Sequence, residues 1–146
     1  MLLSPHLNPV GVLLYFETRY DGGELELEEK LVLEHIFAEK WILAANIVGE
    51  EEWEFEDEGT KTEGTLELDW GLSYLVNERW SVGVEARNHR EYPEYDEEEH
   101  SAWFVGPNIH YGTGKWWATL TVLPQVTDVL DEHEEVEVRL IAGVFF

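Results

Sequence analysis

The sequence predicts an all-β fold: a transmembrane, antiparallel, up-and-down β-barrel of about eight strands. Apolar and polar residues alternate in eight segments from end to end, which is typical of strands with two unlike faces. Most segments reach the roughly 9–11 residues that a tilted strand needs to cross a bilayer, whereas strands of soluble proteins more often have about 5–6. The connections alternate between short and long, as in membrane barrels.

The first four segments cover residues 10–21, 24–34, 41–56 and 66–74. The second shows the alternation most clearly, because its leucines share one parity and its charged residues share the other: Leu25, Leu27, Leu31 and Leu33 against Glu24, Glu26, Glu28, Lys30 and Glu34. The fourth repeats the pattern with Leu66, Leu68, Trp70, Leu72 and Tyr74 against Glu67, Asp69, Gly71 and Ser73. A helix would mix these sets, so both segments are predicted strands.

The last four segments cover residues 80–92, 101–112, 116–127 and 136–146. The eighth is the most regular of them, with Val136, Val138, Leu140, Ala142, Val144 and Phe146 on one parity and Glu137, Arg139 and Gly143 on the other. In a bilayer no water satisfies an open sheet edge, so we expect the strands to close into a barrel. At eight strands the side chains fill the lumen.

Tight turns are predicted at residues 38–40, 77–79 and 112–115, and each is followed directly by a tryptophan: Trp41, Trp80 or Trp116. These three residues predict an aromatic girdle at one membrane interface, and Trp53, Trp103, Phe55 and Tyr92 predict the opposite girdle. The intervening connections, 50–64, 91–100 and 128–135, are longer and acidic. We therefore expect short periplasmic turns and acidic external loops.

Composition excludes several classes. The 146 residues carry 32 acidic and 9 basic side chains, a net charge of -23, which argues against binding nucleic acid. There is no cysteine, so disulfides and thiol chemistry are excluded. No apolar run approaches the roughly 20 residues of a spanning helix. The length suits one domain, residues 1–146, with residues 1–9 as a periplasmic N-terminal segment that is not an intact signal peptide; an exported form would have lost a leader.

The chain ends in Val144-Phe145-Phe146. An amphipathic last strand with a terminal phenylalanine resembles the outer-membrane β-barrel proteins of Gram-negative bacteria, of the small eight-stranded type. The resemblance implies location in the outer membrane and recognition of the last strand by the assembly machinery, with Phe146 in the terminal position. A second stretch, 104–108 through 116–119 to 123–125, is similar to uncharacterised outer-membrane proteins of the phenol-degradation meta-pathway group.

The polar parity predicts a charged lumen. The expected network contains Arg19, Lys30, Glu67, Asp69, Glu85, Arg87, His89, Glu137 and Arg139. Burying an unpaired carboxylate is costly, so these groups are expected to pair, stay hydrated, take up protons or hold a cation. A salt-bridge network that plugs the barrel is one interpretation, and a path for cations or protons is the other.

Other chemistry has little support in the sequence. The six histidines show no close ligand spacing, so no metal site is predicted, and no cofactor is expected. No serine lies in a nucleophile motif, so no catalytic residue and no enzyme activity are predicted. The acidic loops are either solvated charge runs or binding regions for divalent cations.

We expect an integral outer-membrane β-barrel with a polar acidic lumen and a structural or surface-binding role, whose partner is the lipid bilayer or detergent. One alternative is a narrow, porin-like channel that favours cations and is formed by one chain or by several. Another is a soluble ligand-binding barrel, in which the apolar parity points inward and the acids point outward.

Overall fold

The computed structural model describes residues 10–56, 59–96, 98–130 and 133–145. These residues form eight strands: β1 (Gly11–Asp21), β2 (Glu24–Phe37), β3 (Trp41–Glu56), β4 (Gly59–Leu75), β5 (Trp80–Pro93), β6 (His100–Gly112), β7 (Trp116–Pro124) and β8 (Val136–Val144). Within the described ranges no helix is long and apolar enough to cross a membrane. The expected eight strands are confirmed, although β4 begins seven residues before its predicted segment.

The strands form one antiparallel sheet in chain order, from β1 to β8. The turns lie where the sequence predicts them: Phe37 pairs with Trp41 across the β2–β3 turn, and Trp80 follows the β4–β5 turn. Ala38 and Glu39 in the first of these turns have φ angles of 47° and 62°, so two non-glycine residues adopt the left-handed conformation. The meander topology of the prediction is therefore confirmed.

The sheet is a curled half-barrel, which differs from the closed barrel that we expected. In the described part of the chain β1 has a ladder with β2 alone, and β8 has one with β7 alone. The polar face of the curled sheet forms a groove, in which Arg139 of β8 pairs with Glu85 of β5 and Glu137 pairs with Arg87. These contacts tie β8 to β5 across the groove, and the described residues show no ladder between β8 and β1.

The two faces of the sheet differ in chemistry, as the alternation predicts. Side chains from β5 and β8 meet although these strands are not neighbours, so the face that carries them is concave. The opposite, convex face carries the apolar parity, and its side chains are exposed, with Leu140 at 72% and Phe16 at 64%. The small buried core of Ala102, Phe104 and Leu123 lies at the β6–β7 end, packed against Val129 of the β7–β8 connection.

Candidate functional site on the concave face

Arg87 is the centre of a charged network in the groove. Its Nη1 donates to both carboxylate oxygens of Glu137 on β8, at 2.6 and 2.7 Å, and its Nη2 donates to Glu67 on β4. Its Nε lies 3.9 Å from Asp69 Oδ1. Asp69 is opposite Arg87 in the β4–β5 register, so strand pairing brings the two together, whereas the curl of the sheet brings Glu137. One guanidinium therefore links three strands.

Glu85 is the second centre of the network. It accepts a hydrogen bond from Arg139 Nη2 at 2.7 Å, and its other oxygen accepts from Asn108 Nδ2 at 2.9 Å and Thr121 Oγ1 at 3.1 Å. Arg139 Nε is 3.5 Å from Glu137, which joins the two centres. The donors come from β6, β7 and β8, so this carboxylate ties together the strongly curled part of the sheet.

The structure divides the predicted lumen network. Glu67, Asp69, Glu85, Arg87, His89, Glu137 and Arg139 form one connected group, through contacts of 3.9 Å or less. Arg19 and Lys30 do not join it, because Arg19 pairs with Glu26 on the neighbouring strand and Lys30 lies 3.0 Å from Glu28 on its own strand. These two cations lie in the open β1–β2 part of the sheet, and the Arg19 side chain is 62% exposed.

The middle of the groove has room for water. A cavity of about 230 Å³ has a mixed lining of apolar side chains such as Ile42 and Ile141 and polar ones that include Asn46, Asp69, Glu85 and Arg139. Among the described residues, Asp69 Oδ1 and the Nε atoms of Arg87 and Arg139 have no hydrogen-bond partner. Buried polar atoms of this kind are commonly satisfied by ordered water, and the cavity is large enough to hold several molecules. The groove is thus a charged surface with room for ordered water.

A histidine cluster lies where β5 ends and β6 begins. His89 Nε2 is 3.1 Å from Glu91 Oε1, and His100 Nε2 is 3.5 Å from the same oxygen. His133, from the β7–β8 connection, packs its ring edge-on against both histidines, with ring centroids 5.0 Å from His89 and 4.6 Å from His100. Burial, and then the charges of His89 and His100, lower the pKa of His133 below its usual value.

This cluster is not predictable from sequence spacing, because His100 and His133 are far from His89 and from each other in the chain. His89, Glu91, His100 and His133 lie on two strands and one connection, and histidine spacing alone gives no reason to group them. A partial signal was present, since His89 and Glu91 share a parity and therefore a face of β5.

The predicted girdle residues lie near the two ends of the strands. Trp41, Trp80 and Trp116 each begin a strand at the short-turn end, where they form two series of ring contacts, Phe37–Trp41–Tyr74 and Trp80–Tyr111–Trp116. Trp53 contacts the Tyr95 ring, and Trp103 contacts the Trp70 ring, both nearer the opposite, long-connection end. Phe146 and residues 1–9 lie outside the described residues, so their predicted positions stay predictions.

Comparison with curated proteins gave no match, and comparison with solved structures gave none either. A family model matches residues 1–146, the whole chain, and its description is a family of unknown function, DUF6662. Because this match covers the whole chain, the protein with this eight-stranded meander and charged groove belongs to the DUF6662 family.

Proposed function

We propose that the protein is an integral protein of the bacterial outer membrane whose convex face lies in lipid, with a structural or surface-binding role. The observation that carries the proposal is the exposed apolar convex face. Leu14, Val84, Val138 and Leu140 are all more than half exposed on it. Soluble monomers rarely expose apolar patches of more than a few hundred Å², whereas a lipid-facing sheet requires such a face.

The dimensions of this face support the proposal. On β6 the convex-face residues are Tyr111, Ile109, Pro107, Val105 and Trp103. They span nine positions of the strand and have an aromatic ring at each end. Nine residues match the roughly 9–11 that cross a bilayer when tilted. From the level of Trp103 onward the convex face of β5 and β6 becomes polar, where Asn88 donates to Ser101 Oγ at 2.8 Å and Arg90 donates to Asn88. On these two strands the apolar band therefore ends where an interface is expected.

The open edges add a requirement to the proposal. In a bilayer every backbone group must be paired within protein, and the described residues leave β1 and β8 each with one unpaired edge. We propose that these edges are paired in the membrane, by each other or by further strands, to complete a barrel. In the cell, folding in the membrane would then require the outer-membrane assembly machinery, because the C-terminal strand resembles the strands that this machinery recognises.

The proposal is tested with two neighbouring residues on β8. Leu140 lies on the convex face, and Ile141 lies in the groove, where it lines the cavity beside Asp69 and Glu85. We expect Leu140→Arg to lose about 2–4 kcal/mol of folding free energy in phospholipid bilayers, as arginine does on the lipid face of barrels near the midplane. Ile141→Arg should cost far less, because its charge enters an acidic, hydrated groove.

The measurement is urea unfolding of the chain reconstituted in phosphatidylcholine vesicles, followed by tryptophan fluorescence, with refolding in plain buffer as the parallel experiment. Equal losses for Leu140→Arg and Ile141→Arg would contradict the assignment of faces. Monomeric folding in plain buffer would favour the soluble barrel instead. That alternative is disfavoured by the structure, because it needs the apolar parity inside and the acids outside.

A second candidate function, a cation-favouring channel, draws on the acidic face of β1–β3. Two chains that pair β1 of one with β8 of the other would enclose a lumen wider than eight strands leave, lined by Glu26, Glu28, Glu50 and Glu52. Single cysteines can be placed at Leu14 and Val138, since the chain has none of its own. A disulfide-linked dimer with cation-selective currents in planar bilayers would establish the channel, and silent monomers would exclude it.

A further inference from the structure

We propose that His89, Glu91, His100 and His133 form a binding site for a divalent transition-metal ion of the Zn²⁺ class at the long-connection end of the groove. The site goes beyond the membrane function proposed above and does not depend on it. It joins the ends of two strands, β5 and β6, to the connection between β7 and β8.

The side chains already converge. One ligand atom from each of His89, Glu91 and His133 lies within 4.8 Å of the others. His100 adds a fourth, since its Nε2 is 3.5 Å from Glu91 Oε1. Zinc sites have four ligands about 2.0–2.2 Å from the ion, so ligand atoms a few ångströms apart need only small rotations to reach that geometry. Three imidazoles and a carboxylate would give a tetrahedral site.

His100 supplies an independent observation. Its side chain is only 9% exposed, yet neither of its ring nitrogens makes a hydrogen bond with any residue that the structure describes. His133 Nε2 is also buried without such a bond. A buried polar atom without a partner costs about 1–3 kcal/mol, and native proteins rarely leave two such side chains in contact. A metal ion in the cluster would give both of them a ligand.

The surroundings of His89 fit a metal ligand. Its Nδ1 lies 3.6 Å from Glu67 Oε2, while its Nε2 is directed toward the cluster and Glu91. Metal-binding histidines usually donate their second ring N–H to a carboxylate, which fixes the tautomer and the ring orientation. Glu67 is itself held by Arg87. The charged network thus positions one ligand of the proposed site.

The donor set also selects the class of ion. Imidazole nitrogens suit Zn²⁺, Ni²⁺ and Cu²⁺, whereas Ca²⁺ and Mg²⁺ prefer the carboxylate oxygens that are abundant on the acidic connections. A cavity of about 450 Å³, lined by His89, His133, Glu134 and Glu137, lies beside the cluster and gives an ion access from solvent. Zinc and calcium should therefore bind at different places on the chain.

The test is isothermal titration of the full chain in detergent micelles with zinc chloride, in excess calcium that occupies the acidic connections. We expect one zinc site per chain, and at least about a 100-fold weaker Kd in His133→Gln and in His100→Gln, since loss of a direct ligand exceeds the 10–100-fold effects of outer-shell partners. His110→Gln is the matched control, because His110 stacks on Trp117 and contacts Thr119 instead. Its affinity should equal that of the unsubstituted chain.

Two further measurements decide the result if a variant folds poorly. His133→Cys keeps a zinc ligand, so it should retain tight binding. The unsubstituted chain titrated with Co²⁺ should develop the visible absorption of a tetrahedral complex with nitrogen ligands. Equal zinc affinity in all variants, displacement of zinc by calcium, or an octahedral cobalt spectrum would each overturn the proposal.

Discussion

The β5–β8 half of the sheet and the β1–β3 half share the same alternation but differ in how charge is arranged. In the β5–β8 half, each arginine of the groove faces carboxylates on other strands, as Arg87 faces Glu137 and Arg139 faces Glu85. In the β1–β3 half, Arg19 opposes Glu26, but the other facing pairs are acids: Glu17 opposes Glu28, Glu28 opposes Glu50, and Glu26 opposes Glu52. The curled half thus carries opposite charges that meet across strands, and the open half carries like charges that repel one another.

Backbone packing follows the same division. A Cβ atom built on Gly106 of β6 would lie 1.8 Å from the carbonyl oxygen of Val122 on β7, so these two strands approach each other too closely for any side chain. Gly49 of β3 lies on the convex face, and a Cβ atom built there has nothing within 4 Å. Close strand approach at glycines and ion pairs across the groove accompany the curvature, and the alternation of apolar and polar residues does not encode either.

The largest expected effect tests the ion pairs. Arg87→Met would leave Glu67 and Glu137 without their shared cation, and we expect a loss of about 2–3 kcal/mol, less than for a fully buried pair because the groove is partly open to solvent. Lys30→Met in the open half removes a cation that is one-third exposed and contacts one carboxylate, so it should cost at most about 1 kcal/mol. Urea unfolding in detergent measures both. Similar losses in the two variants would mean that the halves do not differ in electrostatics.

The close approach of β6 and β7 gives the next effect. Gly106→Ala should destabilise the sheet by about 1–3 kcal/mol, because the methyl group must displace the backbone of β7. Gly49→Ala should be neutral or stabilise by up to about 1 kcal/mol, since alanine loses less conformational entropy than glycine in a strand. Thermal unfolding of the two variants side by side checks the sign, and a loss of stability in Gly49→Ala would contradict the open geometry of β3.

The smallest effect concerns the facing acids. Glu50→Gln removes a charge that opposes Glu28 in register, so we expect a gain of about 0.2–1 kcal/mol. The gain should shrink as salt is raised, because screening already weakens repulsion in the unsubstituted chain. Glu137→Gln is the control in the other half, where it should destabilise at every salt concentration.

The fold was largely predictable from sequence, since strict alternation in β2, β4 and β8 defines both the strands and their faces. The curvature of the sheet was not predictable, because it depends on contacts such as that of Gly106 with Val122, which no sequence pattern indicates. The groove network was predicted in composition, but no pattern distinguishes Arg87, which meets a distant strand, from Arg19, which meets its neighbour. The histidine cluster could be recognised only from the three-dimensional fold, because His133 lies in a connection with no periodicity.

The positions of the tryptophans would allow their own fluorescence to measure how deeply the sheet enters a bilayer. Six of the seven, at positions 41, 53, 70, 80, 103 and 116, share the convex parity, whereas Trp117 faces the groove and covers Gly143. Fluorescence quenchers attached at different depths of a lipid acyl chain would reach the first group and leave Trp117 as an internal reference. In the proposed membrane orientation, Trp41, Trp80 and Trp116 would lie at the interface on the turn side, so the depth of quenching would report how the sheet sits in a bilayer without any label on the protein.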